Sequence, residues 1–291
     1  MNKKLNTAYF YSNVTGMDNL VDVTDDYMFK GIFGDDARTK NFLESILVGK
    51  DKILPDGTII SNLTYLKTEY TQLIDNAKKV MFDLQVETNN GIFIIEMQKN
   101  ADLDYLKRVG FYNTIAYSQQ QIRGEGATAM KDYAKALPIV TISIINNKLF
   151  KDAVPCVSYH VNLERKTQEE YINIISYVFI ELEKFNNSKY DQSNICSNAK
   201  DWLTFMKTQN LNCTYSNDQV NSAVRYVQYI KDNKMDEYVR HQLTMQAELS
   251  NLEKAEHNKA AEIAKKLIEL GLSCKDISIA TGLSKEQIDK L

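Results

Sequence analysis

Apolar and polar residues alternate most clearly between Lys79 and Lys99, KVMFDLQVETNNGIFIIEMQK. Two period-two runs flank Asn90-Gly91, a dipeptide suited to a two-residue hairpin loop because both turn positions want positive φ. With that loop, Asn89 pairs with Ile92, Val86 with Ile95, Gln85 with Glu96, Leu84 with Met97 and Asp83 with Gln98. One face is then apolar (Phe82, Leu84, Val86, Phe93, Ile95, Met97), and the other gathers Asp83, Gln85, Glu96 and Gln98. A slip of one residue would carry carboxylates into the core, so the pattern pins which face is which.

Elsewhere the pattern predicts helices and strands in turn. Thr24 reads as an N-cap, with Asp25 and Asp26 in the first turn, Phe29, Ile32 and Phe33 as the buried stripe and Gly34 at the end. A second helix is expected over 36–48, and strands over 59–66 and 68–74. After the hairpin, 102–122 has helical spacing, with Leu103, Leu106 and Val109 inward and Gly124 and Gly126 as breakers. LPIVTISII (137–145) is nearly all β-branched, as in a strand covered on both faces. Val157, Tyr159, Val161 and Leu163 alternate and add another strand. From Gln168 onward the period becomes helical: 171–185, 201–207, 220–231, and a charged pattern over 235–270 without a breaker. Ser273…Asp276 and Ser284…Gln287 are two capping boxes, each opening a short helix. Residues 1–20 have no period and read as a loosely docked arm.

Composition adds bounds rather than detail. The 291 residues are 44% hydrophobic and 25% charged, ordinary for a water-soluble globular chain of one large domain or a core plus a second module. A net charge of −3 excludes a globally basic nucleic-acid coat but leaves room for a local basic groove. No run is long enough for a secretory signal or a membrane span, so no membrane partner is expected. Cys156, Cys196, Cys213 and Cys274 are far apart and form no CxxC pair, which favours reduced thiols in the cytoplasm. The three histidines have no ligand spacing, so neither a zinc site nor a Ser/His/Asp or Cys/His nucleophile is supported.

The hairpin's polar face carries the candidate chemistry. Asp83 and Glu96 come out as diagonal cross-strand neighbours, close enough for their side chains to meet. Two converging carboxylates repel unless one keeps its proton or a cation lies between them. A hard divalent ion fits that need, since Mg²⁺ binds through one or two carboxylates, waters and a phosphate. The other reading of the same spacing is a solvated hairpin face.

The order helix, strand, hairpin bearing Asp and Glu-x-Gln, helix, strand resembles the PD-(D/E)XK nuclease core, and more narrowly its transposase-like, recombination-promoting branch. The matching stretches are DDYMFKGIFG (25–34), FDLQVETNNGIFIIEMQ (82–98), KRVGFYNTIAYSQQQIRGE (107–125), LPIVTISIIN (137–146), FIELEKF (179–185) and DWLTFM (201–206). The resemblance implies an α/β fold with a central mixed sheet flanked by helices, over 22–165. A helical extension over 166–232 would follow, then a long helix and helix-turn-helix-like tail over 233–291. It implies a divalent-metal-dependent DNA endonuclease using Mg²⁺ or Mn²⁺, leaving a 5′-phosphate and a 3′-hydroxyl. Carried over by position, Asp83 and Glu96 are metal ligands and Gln98 stands where many members have Lys. Lysine can stabilise the phosphoryl charge or help deprotonate water, whereas glutamine can only orient by hydrogen bonds. This departure leaves open a second reading, a DNA-binding or assembly module on a nuclease fold.

Asp26, in an Asp-x-x-Phe-Lys pattern with Lys30, is either a further metal ligand with a basic neighbour or a helix-start charge satisfying the dipole. Arg108 and Tyr112 lie one helical turn apart, either contacting phosphate or forming a solvated stack. In the tail, Ile263, Leu267, Leu270, Ile277, Ala280, Leu283 and Ile288 would form a small core. Lys285, Gln287 and Lys290 would then face outward, to read DNA or simply to solvate a helical hairpin. Such a hairpin or the long helix offers a surface for a homodimer.

Overall fold

The computed structural model describes residues 21–70, 80–120 and 135–291. The N-terminal arm, the expected strand beyond residue 70, and Gly124 and Gly126 lie outside them. Two compact units are distinguished: one ends at Asn233, and the other comprises Lys234–Leu291. Among the described residues no helix is long and apolar enough to cross a membrane.

The first unit is built on a six-stranded mixed sheet. In chain order its elements are α1 (Asp26–Phe33), α2 (Asp36–Leu47), β1 (Thr64–Tyr65), β2 (Glu69–Tyr70), β3 (Val80–Met81), β4 (Leu84–Thr88) and β5 (Gly91–Gln98). There follow α3 (Leu103–Gln119), β6 (Ile139–Ile145), β7 (Val157–His160), β8 (Ile175–Glu181), α4 (Ser197–Thr208) and α5 (Asp218–Asn233). The sheet order is β1-β4-β5-β6-β8-β7; β5, β6 and β8 are parallel, while β1–β4, β4–β5 and β7–β8 are antiparallel. A separate ribbon pairs β2 with β3.

Both sheet faces are covered. On one, α3 seals Ile92, Ile94 and Ile139 with Ala116 and Tyr112, and farther along packs Tyr105 and Val109 against Ile145 and Phe179. The residues α3 turns inward are Tyr105, Val109, Asn113 and Ala116, not Leu103, which sits at its solvent-facing first position. The opposite face, with Val86, Phe93, Ile95, Ile142 and Ile144, is equally buried. In the helical group α1, α2 and α4, the rings of Phe29, Phe33, Phe42 and Trp202 pack with centroids 4.9–5.8 Å apart. The Tyr65 and Tyr159 hydroxyls tie that group to the strands by donating to the Phe33 and Ile46 carbonyls.

The hairpin departs from the Asn-Gly expectation by two residues. Thr88 pairs with Gly91, Val86 with Phe93, Gln85 with Ile94 and Leu84 with Ile95, so Asn89-Asn90 is the loop. The Thr88 hydroxyl accepts the Asn90 N–H at 3.1 Å, closing the turn by a side-chain bond that competes with the local turn preference. The positive φ falls on Gly91 (149°), where a Cβ would lie 2.9 Å from the Pro138 carbonyl oxygen. A slip of two keeps every side chain on its expected face. Phe82 is the exception: the strand breaks at Phe82–Asp83, and the ring packs edge-on against Tyr112 at 5.3 Å, on the α3 face.

Three further expectations fail. Within 171–185, Ile175–Glu181 form a strand, β8, rather than a helix, and it sits between β6 and β7. The sheet therefore crosses the expected boundary at 165/166, and 166–232 is not purely helical. The first helix is capped by Asp25, not Thr24; the Asp25 carboxylate accepts the Met28 N–H at 2.9 Å. The strand expected over 59–66 shrinks to β1, with Ile59 exposed.

In the second unit α6 (Met235–Glu269) leads to α7 (Cys274–Thr281) and α8 (Lys285–Ile288). Ala264, Ile277, Leu283 and Ile288 form its core, with Ala260, Leu267 and Cys274 against them. Ile263 and Leu270, expected inside, are exposed, because α6 turns its small alanines toward the short helices. The Ser284–Gln287 capping box is complete. At Ser273 the shorter Asp276 accepts the Ser273 hydroxyl at 2.6 Å instead of closing back on the backbone.

Candidate active site

Strand β5 places Glu96 and Gln98 on the face covered by α3, two residues apart. Continuing the β4–β5 register by one residue sets Asp83 directly across from Glu96 rather than diagonal to it. The two carboxylates are interlocked through backbone: Asp83 N–H donates to Glu96 Oε1 at 3.2 Å, and Met97 N–H donates to Asp83 Oδ2 at 2.8 Å. The strand break frees the Asp83 carboxylate to accept from Met97. Asp83 Oδ1 and Glu96 Oε2 receive no hydrogen bond among the described residues.

Glu96 is only 3% exposed and Asp83 half-buried. Burial, reinforced by the neighbouring Asp83 charge, holds the Glu96 carboxyl well above the usual range. Burial also raises Asp83, with the Asp26 charge adding to it and the Met97 hydrogen bond, Lys30 and Arg108 opposing. Asp26 and Lys30 of α1 and Arg108 of α3 thus lie near enough for their charges to bear on Asp83.

Their contacts differ in kind. Asp26 pairs with Lys30 at 2.6 Å across one helical turn. Among the described residues no group of three or more His, Cys, Asp or Glu side chains is placed to hold a metal ion, and one Asp26 carboxylate oxygen, Oδ1, is paired with Lys30. Arg108 Nη2 donates to Gln98 Oε1 at 2.7 Å, and its guanidinium lies 5.0 Å from the centre of the Tyr105 ring. Tyr112 is half-buried and holds Phe82. Gln85 is buried on the same face but opposite Ile94, not Glu96.

A family model described as PD-(D/E)XK nuclease family transposase matches residues 23–266. The chain belongs to that family. No curated protein and no solved structure gives a match.

In this PD-(D/E)XK nuclease-family chain the donor set suits a hard cation. Two carboxylates held together, each with one uncommitted oxygen and both costly to ionise when alone, are what a small divalent ion would relieve. With two acids as ligands, the rest of such an ion's coordination would fall to water and phosphate oxygens. Sequence reasoning missed the floor of this site. The buried Tyr105 hydroxyl donates to Ser143 Oγ at 2.8 Å, and Ser143 is the β6 partner of Glu96. Thr141 donates likewise to Asn113. The signal was present: two hydroxyl residues spaced by two in an otherwise apolar strand, and Tyr105 one helical turn before Arg108.

The tail residues lie in the second unit. Lys285 and Lys290 are exposed. Gln287 is exposed as well, and its side-chain oxygen accepts the Ser284 N–H at 2.8 Å in the cap.

Proposed function

We propose that this protein is a divalent-metal-dependent DNA endonuclease that hydrolyses phosphodiester bonds. The observation that carries the reading is the pair of interlocked carboxylates, Asp83 and Glu96, each keeping one oxygen clear of protein donors. Asp83 Oδ1 and Glu96 Oε2 would hold Mg²⁺ or Mn²⁺. When bound, the cation supplies charge neutralisation at the phosphoryl oxygens and acidifies water. The chain's own contribution is placement. The Asp83 and Met97 amides fix the carboxylate planes, and Gln98, two residues on, orients the attacking water or the phosphate by hydrogen bonding. The Asp26–Lys30 pair sets the local potential at Asp83, and Tyr112 walls the site on the α3 side.

Gln98 in place of lysine favours a second reading, a DNA-binding or assembly module with little turnover. Nicking of supercoiled plasmid with Mg²⁺ or Mn²⁺ separates the two. The endonuclease reading expects nicking that Asp83→Ala lowers by at least about 100-fold. Nicking untouched by that substitution rejects the site. DNA binding without any nicking supports the module.

A further inference from the structure

We propose that Arg108 supplies the positive charge that Gln98 cannot, reaching across from α3 to act on the phosphate as the site's cation. The inference rests on the nuclease reading and deepens it. Among the described residues three lysines adjoin the relevant segments, and each is committed to a carboxylate: Lys30 to Asp26 at 2.6 Å, Lys99 to Asp22 at 2.6 Å and Lys107 to Asp104 at 2.7 Å. Arg108 instead bonds a neutral amide, Gln98 Oε1, at 2.7 Å, and lies over the Tyr105 ring. Its charge is oriented at two points but not cancelled. A guanidinium held this way presents its remaining N–H groups in a fixed fork, the geometry that matches a phosphate.

The supports are themselves fixed. Tyr105 is buried and anchored through its hydroxyl to Ser143, which pairs with Glu96 on the adjoining strand. Gln98 follows Glu96 by two residues on β5. Arg108 is therefore tied to β5, which presents Glu96, and through Tyr105 to the adjoining β6, while its own side chain remains exposed to an incoming strand. In this arrangement glutamine at position 98 is the hydrogen-bonding anchor for a cation delivered by the helix, rather than a lost lysine. No proton transfer by Arg108 is required, since a guanidinium stays charged throughout.

The test uses the full-length protein with a labelled DNA duplex. Single-turnover cleavage in Mg²⁺, Mn²⁺ affinity without DNA, and duplex affinity in Ca²⁺ at several salt concentrations are measured for wild type, Arg108→Ala, Arg108→Lys, Gln98→Lys and the double variant Arg108→Ala/Gln98→Lys. Arg108→Ala is expected to cut about 100-fold more slowly while Mn²⁺ affinity stays within about twofold. Its salt dependence of duplex binding should fall by roughly one phosphate contact. Arg108→Lys should keep part of the rate, and Gln98→Lys should return at least about tenfold to the Arg108→Ala protein by restoring a cation. Arg108→Ala cleaving and binding duplex like wild type overturns the inference and leaves the metal site standing. So does a Gln98→Lys effect that is the same with and without Arg108. Wild type that neither binds Mn²⁺ nor cleaves rejects the nuclease reading, and this inference with it.

Discussion

Glu96 is a carboxyl buried beside a second carboxyl, and without a cation the fold holds it most comfortably as the neutral acid. Both pKa values are raised in the folded state, so their contribution to stability is fully present below the ordinary carboxylate range and is lost as pH rises through the raised values. The metal-free protein should therefore lose thermal stability as pH rises from the ordinary carboxylate range through the raised values, and Glu96→Gln should flatten that loss. Added Mn²⁺ should reverse the trend, stabilising more at the higher pH, because it binds the ionised pair. Thermal melts across pH with and without the ion check both signs; equal Mn²⁺ stabilisation of wild type and Glu96→Gln would count against the pair as ligands. Much of this residue-scale picture was legible. Period two put Asp83, Glu96 and Gln98 on one face; helical spacing set Arg108 beside Tyr112, but the guanidinium lies over Tyr105 on the preceding turn. The ion pair of Asp26 with Lys30 is itself local, four residues apart on α1; the Tyr105–Ser143 bond beneath the acids joins a helix to a strand, and which residues meet there is set by packing between elements.

At the scale of elements, β8 shows where periodicity fails. YINIISYVFIELEKF is apolar at so many positions that it satisfies a helical stripe as readily as a strand buried on both faces. Its burial by β6 and β7 decides for the strand. The strand's end is secured by a buried ion pair, Glu181 with Lys184 at 2.7 Å, both fully buried; the contact is one of charges rather than an aligned hydrogen bond. Glu181 Oε1 also accepts the Leu149 and Phe150 N–H groups, and Lys184 donates to the Lys151 and Val154 carbonyls, so the pair pins the β6–β7 connection. Lys184→Ala should destabilise the protein by about 3–5 kcal/mol in chemical denaturation, since it strands a buried carboxylate; a loss under about 1 kcal/mol would show that water reaches the pair. In the hairpin, Gly91→Ala should cost about 1–3 kcal/mol, because the new methyl meets the Pro138 carbonyl at a φ that side chains avoid. The Asn-Gly signal located this hairpin correctly but not its register, which the Thr88 hydroxyl determined.

At the scale of the whole molecule, the first compact unit ends at Asn233 and a helical unit follows, while the family match, 23–266, runs on into α6. The length of α6 and the positions of both short helices were readable from the missing breakers and from the capping serines. The face that α6 buries was not, because alanines pack more closely than the larger residues one position away. If the tail touches DNA, its exposed Lys285 and Lys290 carry the contact. Lys285→Glu with Lys290→Glu should then weaken duplex binding and lower its salt slope by roughly two, without changing Mn²⁺ affinity. An unchanged slope would assign the tail to packing alone. The central claim, a divalent ion shared by Asp83 and Glu96, is tested most directly by anomalous diffraction from crystals soaked in Mn²⁺. The account predicts a peak bridging Asp83 Oδ1 and Glu96 Oε2 that disappears in Glu96→Gln. Strong manganese density elsewhere, with none between these two carboxylates, would contradict it.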